Sequence, residues 1–326
     1  MIRVDGKSPQ SFGADRYVCY LDCGSRRSAL EAIVRPYLTT RRGFLFSADC
    51  RDVIANIRPE SVDCIFADPP FNLGKDYKNG FSDQVSEARY YEWCREWIFE
   101  CCRILKPGGA FFLYALPELA VRFAGFMNER LTFRHWIALS MKGSYPRGRK
   151  LYPAHYALLY YTRGNAKTFN KLRLPVPTCR HCAGELKDYG GHRDKLNPAG
   201  LNLSDFWEDT SPNRHRKFKV RPGVNELKLV IPERAILLST DPGDVVFDPF
   251  GGGGSTFQAA EKHERHWIGA EIFDCHHIAQ RLEEFFPFSL GHAPDIIPAS
   301  LFLKYEDHQN HLLRRRTRED LQAGVG

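Results

Sequence analysis

Val245-Val246-Phe247-Asp248-Pro249-Phe250-Gly251-Gly252-Gly253-Gly254-Ser255-Thr256 is the stretch on which the fold turns. Three apolar residues ending on an acid read as a buried strand, and the glycines let the backbone approach a ligand closely before a helix opens over about 255–263. A Pro242-Gly243 turn precedes the strand, and before that turn a helix is expected over 226–239. Downstream, Trp267-Ile268-Gly269-Ala270-Glu271 reads as the next strand and 274–286 as another helix.

Glu271 ends that next strand, where a carboxylate can accept hydrogen bonds from both hydroxyls of a ribose, so the pairing points to an adenosine-containing cofactor. A phosphate-cradling loop needs Lys after the last glycine, and Ser255 stands there. Thr256 occupies the third glycine position of a dinucleotide fingerprint, which argues against a nicotinamide cofactor.

The upstream half repeats the alternation. Gly43-Phe44-Leu45-Phe46 is apolar, 51–57 is helix-like, and Val62-Asp63-Cys64-Ile65-Phe66-Ala67 reads as a buried strand ending at Asp68. A helix follows, capped by Ser82 or Asp83, with Cys94, Trp97, Ile98, Cys101 and Leu105 at helical spacing and Pro107-Gly108-Gly109 as its stop. Ala110–Ala115 is a further buried strand, 117–129 a helix, and His135–Met141 with His155–Tyr161 an expected edge hairpin. From 163 to 222 periodicity fails. Short apolar strands alternating with helices imply an α/β fold, a Rossmann-like, mostly parallel mixed sheet with helices on both faces and an irregular insertion.

Composition agrees with a packed enzyme-sized chain: 326 residues, 43% hydrophobic and 26% charged, with a net charge of +7. Pro117, Glu118 and Arg122 interrupt the most apolar run, 109–127, before it reaches the roughly 18 residues of a membrane span. With no apolar leader in MIRVDGKSPQ, the 10 cysteines read as reduced thiols and the protein as cytoplasmic. The mild basic excess permits a polyanionic partner.

Asp68-Pro69-Pro70-Phe71, followed by Asn72-Leu73-Gly74, leaves the other buried strand at its C-terminal end, which is the ligand edge of a parallel sheet. Prolines donate no backbone hydrogen bond and stiffen the chain, so Asp68 and the Pro69 carbonyl can be presented as paired acceptors. Two acceptors suit an exocyclic NH₂. Such an amine on adenine or cytosine is a poor nucleophile because its lone pair is delocalised into the ring; gripping both N–H bonds favours a pyramidal nitrogen able to attack an activated methyl. Phe71 offers a face on which an extruded base can stack.

These two segments together resemble the amino-methylating DNA methyltransferases of bacteria and phage. Asp68-Pro69-Pro70-Phe71 matches the catalytic motif of that family, and Asp248-Pro249-Phe250-Gly251 through Gly253, Ser255 and Thr256 matches its S-adenosylmethionine motif, with Glu271 at the ribose position and Asp49 near the cofactor adenine. The catalytic motif precedes the cofactor motif, as in the permuted β group, whose target-recognition region lies between the two halves. The resemblance implies S-adenosylmethionine as cofactor, double-stranded DNA as partner, and methyl transfer to a flipped base, with Asp68, Pro69, Pro70 and Phe71 as the catalytic segment. It leaves open a homodimer and a restriction enzyme partner. Asp at the head of the motif favours adenine N6; the alternatives are cytosine N4, RNA as substrate, or a silent DNA-binding subunit. Phe71 stands for the commoner Tyr, and Val224-Asn225-Glu226-Leu227-Lys228 for the usual His-Pro-Thr-x-Lys-Pro segment. Methylation of cytosine C5 is disfavoured because no proline precedes a cysteine.

The chain is accordingly divided into an N-terminal extension (1–43), a catalytic half (44–162), a target-recognition insertion (163–222), a cofactor-binding half (223–290) and a C-terminal tail (291–326). Lys142, Arg147, Arg149 and Lys150, and then Arg214, His215, Arg216, Lys217, Lys219 and Arg221, flank the insertion and are expected to meet phosphates. Arg314-Arg315-Arg316 is expected to be a surface feature. Cys179 and Cys182, with Cys19 and Cys23, have nearly the spacing of zinc knuckles, yet nothing in that spacing requires a metal and none is assigned.

Overall fold

Val62–Ala67 and Val245–Asp248 are buried along their whole lengths, so each strand must lie in the middle of a sheet covered on both faces. The computed structural model describes residues 36–73, 85–141, 149, 151, 154–176, 178, 190–212, 226–273 and 275–287. In chain order these form β1 (Leu38–Thr39), β2 (Gly43–Phe46), α1 (Cys50–Asn56), β3 (Val62–Ala67), α2 (Glu87–Ile104), β4 (Leu105–Ala115), α3 (Pro117–Asn128), β5 (Thr132–Ser140) and β6 (His155–Thr162). There follow β7 (Arg173–Leu174), β8 (Leu201–Asn202), β9 (Phe206–Trp207), α4 (Val230–Ser239), β10 (Val245–Asp248), α5 (Ser255–Lys262), β11 (His266–Ala270) and α6 (His276–Phe285).

The main sheet runs β1-β2-β11-β10-β3-β4-β6-β5-β9. Its five central strands, β2, β11, β10, β3 and β4, are parallel, whereas β6 is antiparallel to both β4 and β5. Residues from α1, α2 and α3 pack on one face. Residues from α4, α5 and α6 cover the other. α2 is representative: Tyr90, Trp93, Cys94, Trp97, Ile98, Cys101 and Cys102 recur at steps of three and four, laying one apolar stripe on the sheet.

Three expectations need correction. The helix expected to start at Ser82 or Asp83 begins at Glu87, after Ser86, whose side chain makes no capping bond; residues 81–84 lie outside the described residues. Pro107-Gly108-Gly109 does not stop that helix. The helix ends at Ile104 because Leu105 turns extended and starts β4, and Gly108, at φ +80°, instead lets the chain at 163–167 pair closely with it: its N–H donates to Arg163 O and its carbonyl accepts from Lys167 N. The β5–β6 hairpin is not the sheet edge, since β9 pairs with β5 at Ala138 and Leu139.

The irregular stretch is tied to α4 and the residue that follows it. Asn170 Nδ2 donates to the carbonyls of Leu237 and Thr240, both at 3.0 Å. Arg234 of α4 forms a two-pronged pair with Asp209 and lies over the ring of buried Trp207. Cys19, Cys23, Cys179, Cys182, all of the second basic run, the first run except exposed Arg149, and the C-terminal tail lie outside the described residues. No described helix is long and apolar enough to cross a membrane.

Candidate active site

β10 and β3 lie side by side and parallel, with Val246 opposite Cys64 and Phe247 opposite Ile65. From β10 the chain proceeds through α5 to β11 on one side, and from β3 through α2 to β4 on the other. Their C-terminal ends therefore diverge at the switch point of the sheet, where α/β folds open a crevice. An open cleft lies there, lined by Phe66 and Asp68 from the first strand end, Glu226 and Leu227 ahead of α4, and Asp248, Phe250, Gly251, Gly252, Gly253, Ser255 and Thr256 from the second.

The glycine loop is shaped by its backbone. Gly252 and Gly254 sit at φ +50° and +74°, and a Cβ on Gly254 would come within 2.9 Å of Ile278. Gly251 N–H donates to Ala270 O, joining the loop to β11, and His277 Nε2 donates to the Gly252 carbonyl at 2.6 Å. Gly254 then leads into α5, so the first amides of the helix, at Ser255 and Thr256, are directed to the cleft, where the helix end carries partial positive charge.

Asp248 is buried, and that burial pushes its carboxyl up to about 7 although Thr256 and the Phe250 N–H (2.9 Å) hydrogen-bond to it. Glu271 stands behind the loop, its Oε2 accepting from Gly252 N at 2.7 Å and its Oε1 from Phe273 N at 2.9 Å. Phe250 borders the cleft, but its ring is set edge-on against Trp97 (5.0 Å, 82°) and tilted against Trp93. Pro249 is buried.

Asp49 is not part of the cleft lining. It caps α1, its Oδ1 accepting from Arg51 N at 2.8 Å and its Oδ2 pairing with the Arg51 guanidinium at 2.9 Å. At the other strand end, Asp68 is partly exposed, Pro69 buried and Phe71 partly buried. Tyr90 of α2 donates to the Pro70 carbonyl, and the Asn72 amide exchanges two hydrogen bonds with the Val85 backbone. Phe71 lies 6.0 Å from the ring of Tyr114, which stacks on Tyr156.

The structure thus brings Asp68 and the loop 248–256 into one cleft, with Glu271 supporting the loop, and leaves Asp49 aside. Reading the sequence missed Phe66, Glu226 and Leu227 as lining residues. Only the position of 224–228, where the resemblance wants a different segment, hinted at the latter two. Glu226 faces Arg281 at 3.6 Å, both buried, and no periodicity foretells that pair. The described cysteines are free and buried, and burial pushes the Cys64 and Cys102 thiols up to about 12, which makes them poor nucleophiles. No group of metal ligands occurs among the described residues.

Residues 62–280 match a family model described as DNA methylase. Type II methyltransferase M.BamHI of Bacillus amyloliquefaciens is 47% identical over 251 residues, covering 77% of this chain and 59% of that protein. Type II methyltransferase M.HpaI of Haemophilus parainfluenzae is 30% identical over 238 residues, covering 70% of this chain and 69% of that protein. This chain therefore spans less than two thirds of the length of the first relative. A solved structure described as PvuII DNA methyltransferase (cytosine-N4-specific) shares the fold, with a TM-score of 0.54 and 18% identity over 86% of this chain and 95% of that one.

Proposed function

The chain belongs to the DNA methylase family that has N6-adenine and N4-cytosine members, and from that membership we propose that it methylates the exocyclic amino group of a flipped base in double-stranded DNA. The observation that carries this reading is the shared cleft: Asp68 and the glycine loop 248–254 line one crevice at the ends of adjacent parallel strands. S-adenosylmethionine is the proposed cofactor, and the site suits it. The glycine loop leaves room for a close approach, and Glu271, oriented by two amides at the end of the neighbouring strand, is a carboxylate of the kind that accepts from ribose hydroxyls. When bound, it supplies an electrophilic methyl group.

The chain's own residues do the rest. The Asp68 carboxylate and the Pro69 carbonyl accept the two N–H bonds of the amine, Phe71 provides a stacking face, and Asp68 is placed to take the proton that the amine sheds as it gains carbon. Tyr90 holds the Pro70 carbonyl, so the acceptors stay in place without any amide from the two prolines. Asp at the head of the motif supports adenine N6 as the target. We assign target recognition to 163–222, flanked by the catalytic half 44–162 and the cofactor half 223–290. A cytoplasmic enzyme goes with this reading.

The test incubates the purified full chain with DNA and S-adenosylmethionine, digests the DNA to nucleosides and weighs them, while sequencing maps the modified site. N6-methyladenine is expected, and Asp68→Ala should abolish it while DNA binding persists. N4-methylcytosine would move the target to cytosine with the same cleft chemistry. No methylated nucleoside from the wild type would refute enzymatic transfer and leave a DNA-binding subunit of the same fold.

A further inference from the structure

Tyr114 is the last residue but one of β4, on the strand next to β3, and it is 3% exposed. Its ring stacks on Tyr156 (5.1 Å between centroids, 22° between planes) and tilts against Phe71 (6.0 Å, 36°), forming an aromatic wall beside the catalytic segment. The hydroxyl at the end of that ring is buried and has no hydrogen-bond partner among the described residues. A buried tyrosine hydroxyl ordinarily has one, because burial strips it of water. Phenylalanine would fill the same space without that cost. The hydroxyl therefore has a use for a partner that arrives from outside.

Burial, and then the nearby Asp68 carboxylate, hold the Tyr114 hydroxyl well above the ordinary phenol range. It keeps its proton at neutral pH and acts as a donor. A donor beside the Asp68 acceptor is complementary to one kind of base edge. Adenine presents its amine next to the acceptor N1, and cytosine presents its amine next to the acceptor N3. Guanine and thymine present the opposite polarity, a carbonyl oxygen next to an N–H.

We propose that the Tyr114 hydroxyl donates to the ring nitrogen adjoining the target amine while Asp68 accepts from the amine, a two-point reading of the base that admits adenine or cytosine and rejects guanine and thymine. The inference deepens the amino-methyltransferase reading above and rests on it. Phe71, only partly buried, is the ring beside Tyr114 on which the admitted base stacks. Tyr114 makes and breaks no covalent bond; it reads and orients.

The test combines Tyr114→Phe with a target base whose ring nitrogen is replaced by C–H (1-deazaadenine, or 3-deazacytosine if cytosine is methylated), in a duplex oligonucleotide carrying the mapped site. With the full chain and S-adenosylmethionine, Tyr114→Phe should lower kcat/KM on the natural base about tenfold, with the melting temperature unchanged or raised. The deaza base should slow the wild type to a similar extent, and the two changes together should cost no more than either alone. Wild-type rates in Tyr114→Phe, or losses that multiply, would overturn the inference. So would a variant that melts lower and still separates natural from deaza base, since that assigns Tyr114 to packing. A wild type that transfers no methyl overturns the parent reading and this one with it, whereas a wild type that transfers methyl no faster than Tyr114→Phe overturns this one alone.

Discussion

The Tyr90 hydroxyl donates to the Pro70 carbonyl across 2.7 Å, fastening the first turn of α2 to the strand exit that carries Asp68. The bond matters because Pro69 and Pro70 have no N–H to offer, so the segment is held through its carbonyls and through Asn72. Tyr90 itself is fixed by its ring contacts with Trp93 and Phe123 in the core. The stiffness of the segment 68–72 is therefore borrowed from the packing of α2 on the sheet.

Tyr90→Phe keeps those ring contacts and removes the bond to the Pro70 carbonyl. It should lower stability by about 1 kcal/mol and kcat by about fivefold, with the apparent affinity for S-adenosylmethionine unchanged. Initial rates at varied cofactor, beside a thermal melt, check this; an altered cofactor KM with normal kcat would refute it.

Asn72 sits at φ +55°, where asparagine is tolerated better than most residues, and its amide bonds both backbone groups of Val85. Asn72→Ala should cost about 1–3 kcal/mol, while Asn72→Gly, free to adopt the conformation but unable to bond, should recover only part of it. Equal stability of glycine variant and wild type in denaturant titrations would show that the clamp contributes nothing.

Asp248 has its folded pKa raised, to about 7, above the 3.8 of the free group. The folded state then binds the proton more tightly than the unfolded chain does, so this contribution to stability is full below about pH 3.8 and is lost as pH rises through 7. Asp248→Asn removes the titration and keeps an acceptor for the Phe250 N–H. Compared at pH 5 and pH 8, the melting temperature of the variant should gain on that of the wild type at the higher pH; a constant difference would contradict the assignment.

Gly254→Ala places a methyl 2.9 Å from Ile278 at a φ of +74°. The conformation alone costs roughly 1–2 kcal/mol, and relief by moving the loop would displace the amides at the start of α5. The rise in melting temperature that S-adenosylmethionine gives the wild type should shrink or vanish. A variant with the full rise would show that the loop does not hold the cofactor.

Sequence alone determined the parts whose causes are local. The apolar runs 62–67 and 245–248 could only be strands buried on both faces, and glycines at 252 and 254 suit conformations that other residues resist. Asp68 and Asp248 could be placed at strand ends because chain direction and burial pattern are written in adjacent residues. Tertiary structure decided the rest. The start of α2 was misread because Ser86 makes no capping bond and so leaves no signature; its place follows from the Asn72–Val85 clamp beside it. Pro107-Gly108-Gly109 was misread because the same glycine signal serves a close approach to residues 163–167. The pairing of β10 with β3, the cover of β5 by β9, the Glu226–Arg281 pair in the cleft and the buried Tyr114 hydroxyl join residues distant in the chain. Such contacts depend on which surfaces meet after collapse, and no period of two or of 3.6 records them.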